Sequence, residues 1–273
     1  MTEARARFAA TVAPSVARIP LAEAALWIAA EEYPQLDVEA YLDRFDEMAE
    51  AARSRLGSLP VEETIARFND FLFRELGFTG NTESYEDPRN SFLNEVLDRR
   101  TGIPITLSLV YTEVGARLRL PVVGVGFPGH FLVKWVDGRG VLVDPFFGKV
   151  VSREECEQRL QTHHGSEARL DERMLAPAMP REILVRMLRN LKHNYLAGGD
   201  LERTLGAVDR ILLVSPDEVA ELRDRGILFF RLECFSAALH DFERYLTLAP
   251  DDPMAGQIRE RLPDLRREVA RLQ

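Results

Sequence analysis

The chain has 273 residues, 46% of them hydrophobic and 29% charged, with a formal net charge of −9. That length gives one or two domains with ample core, and the acidic balance argues against nucleic acid as a partner. No apolar run is long enough to cross a bilayer, the N-terminal MTEARARFAATVAPSVARIP lacks the apolar stretch of a secretory signal, and Cys156 and Cys234 are too far apart to frame a disulfide scaffold or a paired-thiol zinc site. A reducing, cytoplasmic setting with no membrane contact and no cofactor is expected.

The charge is uneven: residues 1–179 hold 28 acidic and 20 basic side chains, residues 180–273 hold 16 and 15. Much of the excess lies between Glu23 and Glu50, where a solvated helix face accounts for it. From Leu21 the spacing predicts two helices broken at Pro34, the second capped by Asp37 and burying Leu42, Phe45, Met48 and Ala49. VEETIARFNDFLFREL predicts a helix over 61–76, stopped by Gly77. The polar TGNTESYEDPRN then reads as a loop, and Asn90 or Ser91 is placed to cap a short helix, SFLNEVLDRR.

After Thr101-Gly102, the run PITLSLVYTEVGARLRL has apolar residues at Ile105, Leu109, Val110, Val114 and Leu118, an amphipathic helix with Pro104 in its first turn. PVVGVGF begins a strand. FPGHFLVKWVDGRGVLVDPF follows, two apolar runs around the turn cluster Asp137-Gly138-Arg139-Gly140, and this predicts an antiparallel hairpin. Such pairing brings His130, at the start of the first run, to Asp144, at the end of the second, and a His oriented by an Asp is two-thirds of a catalytic triad. A helix is expected near Ser152–Leu160, then a polar loop with His163 and His164. Adjacent histidines cannot share a helix face as metal ligands do, and no metal site is expected.

Beyond about Pro180 strand alternation ends. DRILLVSPD (209–217) aligns with ERYLTLAPD (243–251), which sets Pro216 and Pro250 34 residues apart. Tyr195 and Phe229, Leu205 and Leu239, and Val208 and Phe242 share that offset. Gly226, Ala238, Phe242 and Pro250 occupy the pattern positions of a tetratricopeptide repeat, with Thr204 where the first copy should have alanine. Two repeats and a closing helix, Pro253–Gln273, fall short of an independent solenoid and are expected to dock on the first domain. The domains expected are 1–179 and 180–273.

LGFTGN, DPRNS, RRTGIPITLS, PGHFLVK and VDPF together resemble the transglutaminase-like core, and more closely its bacterial SirB-type branch with C-terminal tetratricopeptide repeats. The resemblance implies an α+β fold: a papain-like core with a helical N-terminal segment and a small antiparallel sheet, then an all-α repeat region. In active members a cysteine opens the central helix as Gly-x-Cys, where unpaired N–H groups and the helix dipole stabilise a thiolate. Here Gly102-Ile103 is followed by Pro104, so the resemblance supplies His130 as base and Asp144 as its partner, and proline where sulfur should be. Thr106 better serves the helix start, Ser108 lies in the helix interior, and Cys156 sits among carboxylates that raise a thiol pKa. Asn81, Tyr85, Asp87 and Asn90 are expected to rim the cleft.

Two functions follow. One is a non-catalytic adaptor, a pseudoenzyme that binds a protein or peptide through its cleft, its repeats or both. The other is an acyl-transfer or amide-hydrolysing enzyme in which His130 and Asp144 work with a non-cysteine or partner-supplied nucleophile. Alignment of the repeats places Arg186, Arg189 and His193 on one inner helix face, joined by Arg223. This strip would either take an acidic or C-terminal peptide or pair with the acidic first domain.

Overall fold

A computed structural model describes residues 2–13, 18–57 and 59–271. The chain divides into two compact units, Met1–Ile183 and Leu184–Gln273. No described helix is long and apolar enough to cross a membrane.

The first unit opens with helices α1 (Glu3–Thr11), α2 (Leu21–Ala30) and α3 (Val38–Leu56). Asp37 caps α3 as its sequence predicts, its side chain accepting from the Ala40 N–H at 3.1 Å. α3 buries Phe45 and Ala49, while Leu42 and Met48 are half-buried. The expected helix over 61–76 is α4 (Val61–Asn69) followed by a π-helical segment, Asp70–Glu75, and Gly77 turns the chain at a φ of 75°. The widened turn keeps Phe68, Phe71 and Leu72 buried while Asn69 accepts from the Tyr111 hydroxyl at 2.9 Å.

The polar loop is more ordered than its composition implies. β1 (Thr79–Gly80) pairs in parallel with β2 (Thr101–Gly102), and Pro88–Ser91 forms a 3₁₀ turn capped by Asp87. Neither Asn90 nor Ser91 caps the next helix, α5 (Leu93–Arg99). Both are drawn into the 3₁₀ turn, and Phe92 holds the N-cap position without a side-chain bond.

The central helix α6 (Pro104–Arg117) starts with Pro104 at its first position, where the missing N–H leaves no carbonyl unpaired. Its first half is not amphipathic as expected, while Thr112, Glu113, Ala116 and Arg117 of its second half are half-buried or exposed beside the buried Val114. Residues 104–111 are all buried, Ser108 and Thr106 included, because α3 packs on α6 as do β3 (Val122–Val125) and β4 (Leu132–Trp135). Those strands begin an antiparallel sheet of order β3–β4–β5–β6, with β5 Leu142–Asp144 and β6 Lys149–Val151. The hairpin register pairs Val133 with Val143 and Lys134 with Leu142. Val125, Leu132, Leu142 and Val151 share a core with Cys156 and Leu160 of α7 (Arg153–His164). Ser152 and Glu155 cap that helix reciprocally, and it runs on through His163 and His164. The two histidines therefore occupy a last helical turn and not a loop.

The second unit is helical: α8 (Pro180–Ala197), which starts before the boundary, then α9 (Leu201–Val214), α10 (Val219–Arg231), α11 (Phe235–Leu248) and α12 (Ala255–Arg271). Its core holds Val208, Leu222, Ala238, Phe242, Tyr245 and Leu265. Gly226 explains itself here, since a Cβ would come 2.6 Å from the Phe242 ring. Thr204, in place of the small alanine, is buried and donates its hydroxyl to the Asp200 carbonyl at 2.5 Å. Arg225 binds Asp241 through Nε at 2.6 Å and Asp209 through Nη1 at 3.0 Å, tying α9, α10 and α11 together.

Candidate functional site

His130 is presented by a tight turn. Gly129 takes a φ of 68° that a side chain would oppose, and the His130 N–H donates back to the Phe127 carbonyl at 3.0 Å. Asp144 ends β5, fully buried. Its Oδ2 accepts from His130 Nε2 at 3.0 Å, and its Oδ1 accepts from the N–H groups of Phe146 at 3.0 Å and Phe147 at 3.4 Å. One carboxylate thus orients the imidazole and folds the following turn, so that both phenylalanines face the same cleft as His130. Gly80 permits the close approach of that turn: its N–H donates to the Phe146 carbonyl, and a Cβ would lie 2.5 Å from the Phe146 ring.

A third residue joins the pair. Arg159 of α7 donates Nη1 to Asp144 Oδ2 at 2.5 Å, the oxygen that also serves His130. Burial pushes the Asp144 carboxyl up, but the contacts with His130 and Arg159 outweigh it and hold the group below the ordinary carboxylate range. The carboxylate is therefore charged and His130 Nε2 is the donor. Phe147 lies nearly parallel to the His130 ring, with centroids 6.2 Å apart, and the Arg159 guanidinium sits 5.4 Å from the Phe147 centroid. Tyr85 meets Phe146 edge-on at 5.9 Å. These groups line an open cleft of about 590 Å³ together with Thr82, Pro128, Gly129 and His163.

Of the residues expected at the rim, one lines this cleft. Tyr85 lines it, half-exposed, but Asn90 is fully buried and acts as a hub below the surface. Its amide donates to the Ser84 and Tyr85 carbonyls at 2.8 and 3.2 Å, and its Oδ1 accepts from Asn81 and Arg99. Asn81 and Asp87 are likewise spent on the loop, Asn81 on Asn90 and on the Ser84 N–H, Asp87 on Arg89 and on the turn it caps. These three polar side chains fix the loop that presents Tyr85, because burying a backbone turn leaves donors and acceptors that need partners.

No nucleophile stands at the start of α6. Pro104 is buried, and the Thr106 hydroxyl is taken: it accepts from the Ile103 N–H at 3.1 Å and donates to the Asn90 carbonyl at 2.8 Å. Ser108 is fully buried with no hydrogen-bond partner among the described residues. Cys156 is also fully buried, and burial pushes its thiol up, with Arg159 opposing. Among the described residues no group of three or more His, Cys, Asp or Glu side chains is placed to hold a metal.

The basic strip of the repeats is largely neutralised from within. Arg189 binds Glu218 at 2.8 Å and Glu221 at 2.9 Å, Arg223 binds Asp224 at 2.7 Å, and Lys192 joins Glu221 and Asp224 in the same network. Arg186 is half-buried and His193 exposed on the same face of α8. The acids come from α10 and its cap, a position that the alignment of arginines alone did not weigh.

Comparison with known proteins agrees with both halves. Residues 39–189 match the model of the transglutaminase-like superfamily, and residues 191–263 match a tetratricopeptide repeat. The chain is 42% identical over 257 residues to a UPF0162 protein of Xylella fastidiosa, covering 92% of this chain and 91% of that one. It is 34% identical to a UPF0162 protein of Pseudomonas aeruginosa, covering 90% of each. It is 27% identical to the protein SirB1 of Salmonella typhimurium, covering 85% and 86%.

Proposed function

The chain belongs to the transglutaminase-like superfamily, in the branch that carries tetratricopeptide repeats behind the core, and from that premise we propose that it is a non-catalytic binding protein for a protein or peptide partner. The observation that carries this is the first turn of α6. The family chemistry needs a thiolate there, and the position holds a buried proline while the Thr106 hydroxyl of the same turn is committed to Asn90 and Ile103.

The electrostatics favour the same reading. A triad carboxylate earns its place by stabilising the imidazolium formed when the base takes a proton. Arg159 shares the Asp144 oxygen that faces His130, so the guanidinium offsets that negative charge at the atom where it would act. The second reading, an acyl-transfer or amide-hydrolysing enzyme with a non-cysteine or partner-supplied nucleophile, draws on the 3.0 Å His130–Asp144 contact, which keeps base geometry.

Affinity capture with the full chain, the His130→Ala variant and a chain ending at Ile183 tests the proposal. Partners held by the full chain should be lost on truncation, on His130→Ala or on both, and should be recovered chemically unmodified. Partners recovered deamidated or cross-linked by the full chain, and intact from His130→Ala, would overturn it.

A further inference from the structure

Resting on the non-catalytic reading, we propose that the His130 cleft is a receptor for a peptide carboxylate flanked by an aromatic or branched apolar side chain. The titratable side chains that line the cleft are His130, Arg159, His163 and Tyr85, and no acidic side chain lines it among the described residues. Asp144, the acid that His130 and Arg159 touch, is fully buried with both oxygens occupied. The lining therefore carries a guanidinium and two imidazoles and no surface carboxylate among the described residues.

Arg159 is the anchor. Nη1 is given to Asp144, the plane is held against Phe147, and its other N–H donors have no partner among the described residues. A guanidinium fixed this way meets a carboxylate through charge-assisted hydrogen bonds with little rotamer entropy left to lose. On the same lining, Tyr85 and Phe147 are 50% and 56% exposed, unusual for large aromatic side chains that already touch a ring neighbour. A volume near 590 Å³ holds about two residues of an extended peptide, one supplying the anion and one the apolar contact.

The probes are terminally blocked pentapeptides centred on Glu-Phe or Gln-Phe, titrated calorimetrically into the full chain, with inorganic phosphate and AMP as competitors. The Glu peptide should bind at least about tenfold more tightly than its Gln isostere. Arg159→Gln should bring the two to parity. Because Arg159 also holds Asp144, the exposed His163→Gln and Tyr85→Ser serve as second variants: the first should shrink the Glu preference, and the second should weaken both peptides alike, each without loss of melting temperature. Equal affinity for Glu and Gln, no binding of either, a Glu preference that survives Arg159→Gln in a folded protein, or displacement by phosphate or AMP below the peptide's own Kd would each overturn the proposal. Mass analysis of the recovered peptide separates this from the reading it rests on. Modified peptide with a Glu preference would sink the non-catalytic assignment alone; unmodified peptide without preference would sink the carboxylate receptor alone.

Discussion

Asp144 answers to three neighbours at once: the His130 imidazole, the Arg159 guanidinium and the turn that carries Phe146 and Phe147. Its replacement by Asn keeps the shape and removes the charge, and stability should fall by about 3 kcal/mol because Arg159 is left beside an uncharged partner. The pH dependence has a definite sign. Since the folded carboxyl titrates below its unfolded value, its contribution is present above the ordinary carboxylate range, about pH 4, and is lost as pH falls further through the folded value. Thermal melts across that window should show a steeper acid loss for the native chain than for Asp144→Asn. Tyr111 offers a second check. The Trp135 Nε1–H donates to its hydroxyl at 3.0 Å and the hydroxyl donates to Asn69, all within buried surroundings that push the phenol well above its usual range. Tyr111→Phe should cost about 1–3 kcal/mol in urea denaturation by orphaning a buried donor. At this scale the sequence exposed His130 and Asp144, because a turn cluster between two apolar runs sets their distance. Arg159 stayed hidden: it lies on a separate helix in a stretch of acids, and nothing local marks it as the partner of a strand carboxylate.

Elements were legible where periodicity or spacing decides them. The cap at Asp37, the start of α6 at Pro104 and the 34-residue offset of the repeats all translate into helices at the expected places. What escaped is structure set by neighbours. The π turn at 70–75 keeps Phe71 and Leu72 buried after Phe68, the first half of α6 is buried on every side because layers close over it, and β6 is three residues long and takes its strand form from β5. Two glycines in the repeats separate packing from propensity. Gly226→Ala drives a methyl toward the Phe242 ring and should destabilise by about 1–3 kcal/mol, while Gly256→Ala in α12, with open space at that point, should stabilise by up to about 1 kcal/mol. Urea melts of the two variants in the full chain should move in opposite directions.

Across the molecule, the acidic excess and the repeats pointed toward partners, yet the charges that matter most are already spoken for. Arg189, Lys192 and Arg223 are paired inside the repeats, whereas in the cleft Arg159 and His130 share one buried carboxylate, Asp144, and no acid is on the lining among the described residues. Net charge is readable from composition; how the charges are paired is a property of the fold. The residue that opens α6 is Pro104, and the non-catalytic reading rests on that position. The most direct measurement is ammonia release from glutamine-containing peptides, with and without a primary amine, by the full chain, by His130→Ala and by Pro104→Cys. Absence of turnover by the full chain, indistinguishable from His130→Ala, is the result predicted. Release by the full chain that disappears in His130→Ala would contradict the account, because it would show a working nucleophile beside the His130–Asp144 pair.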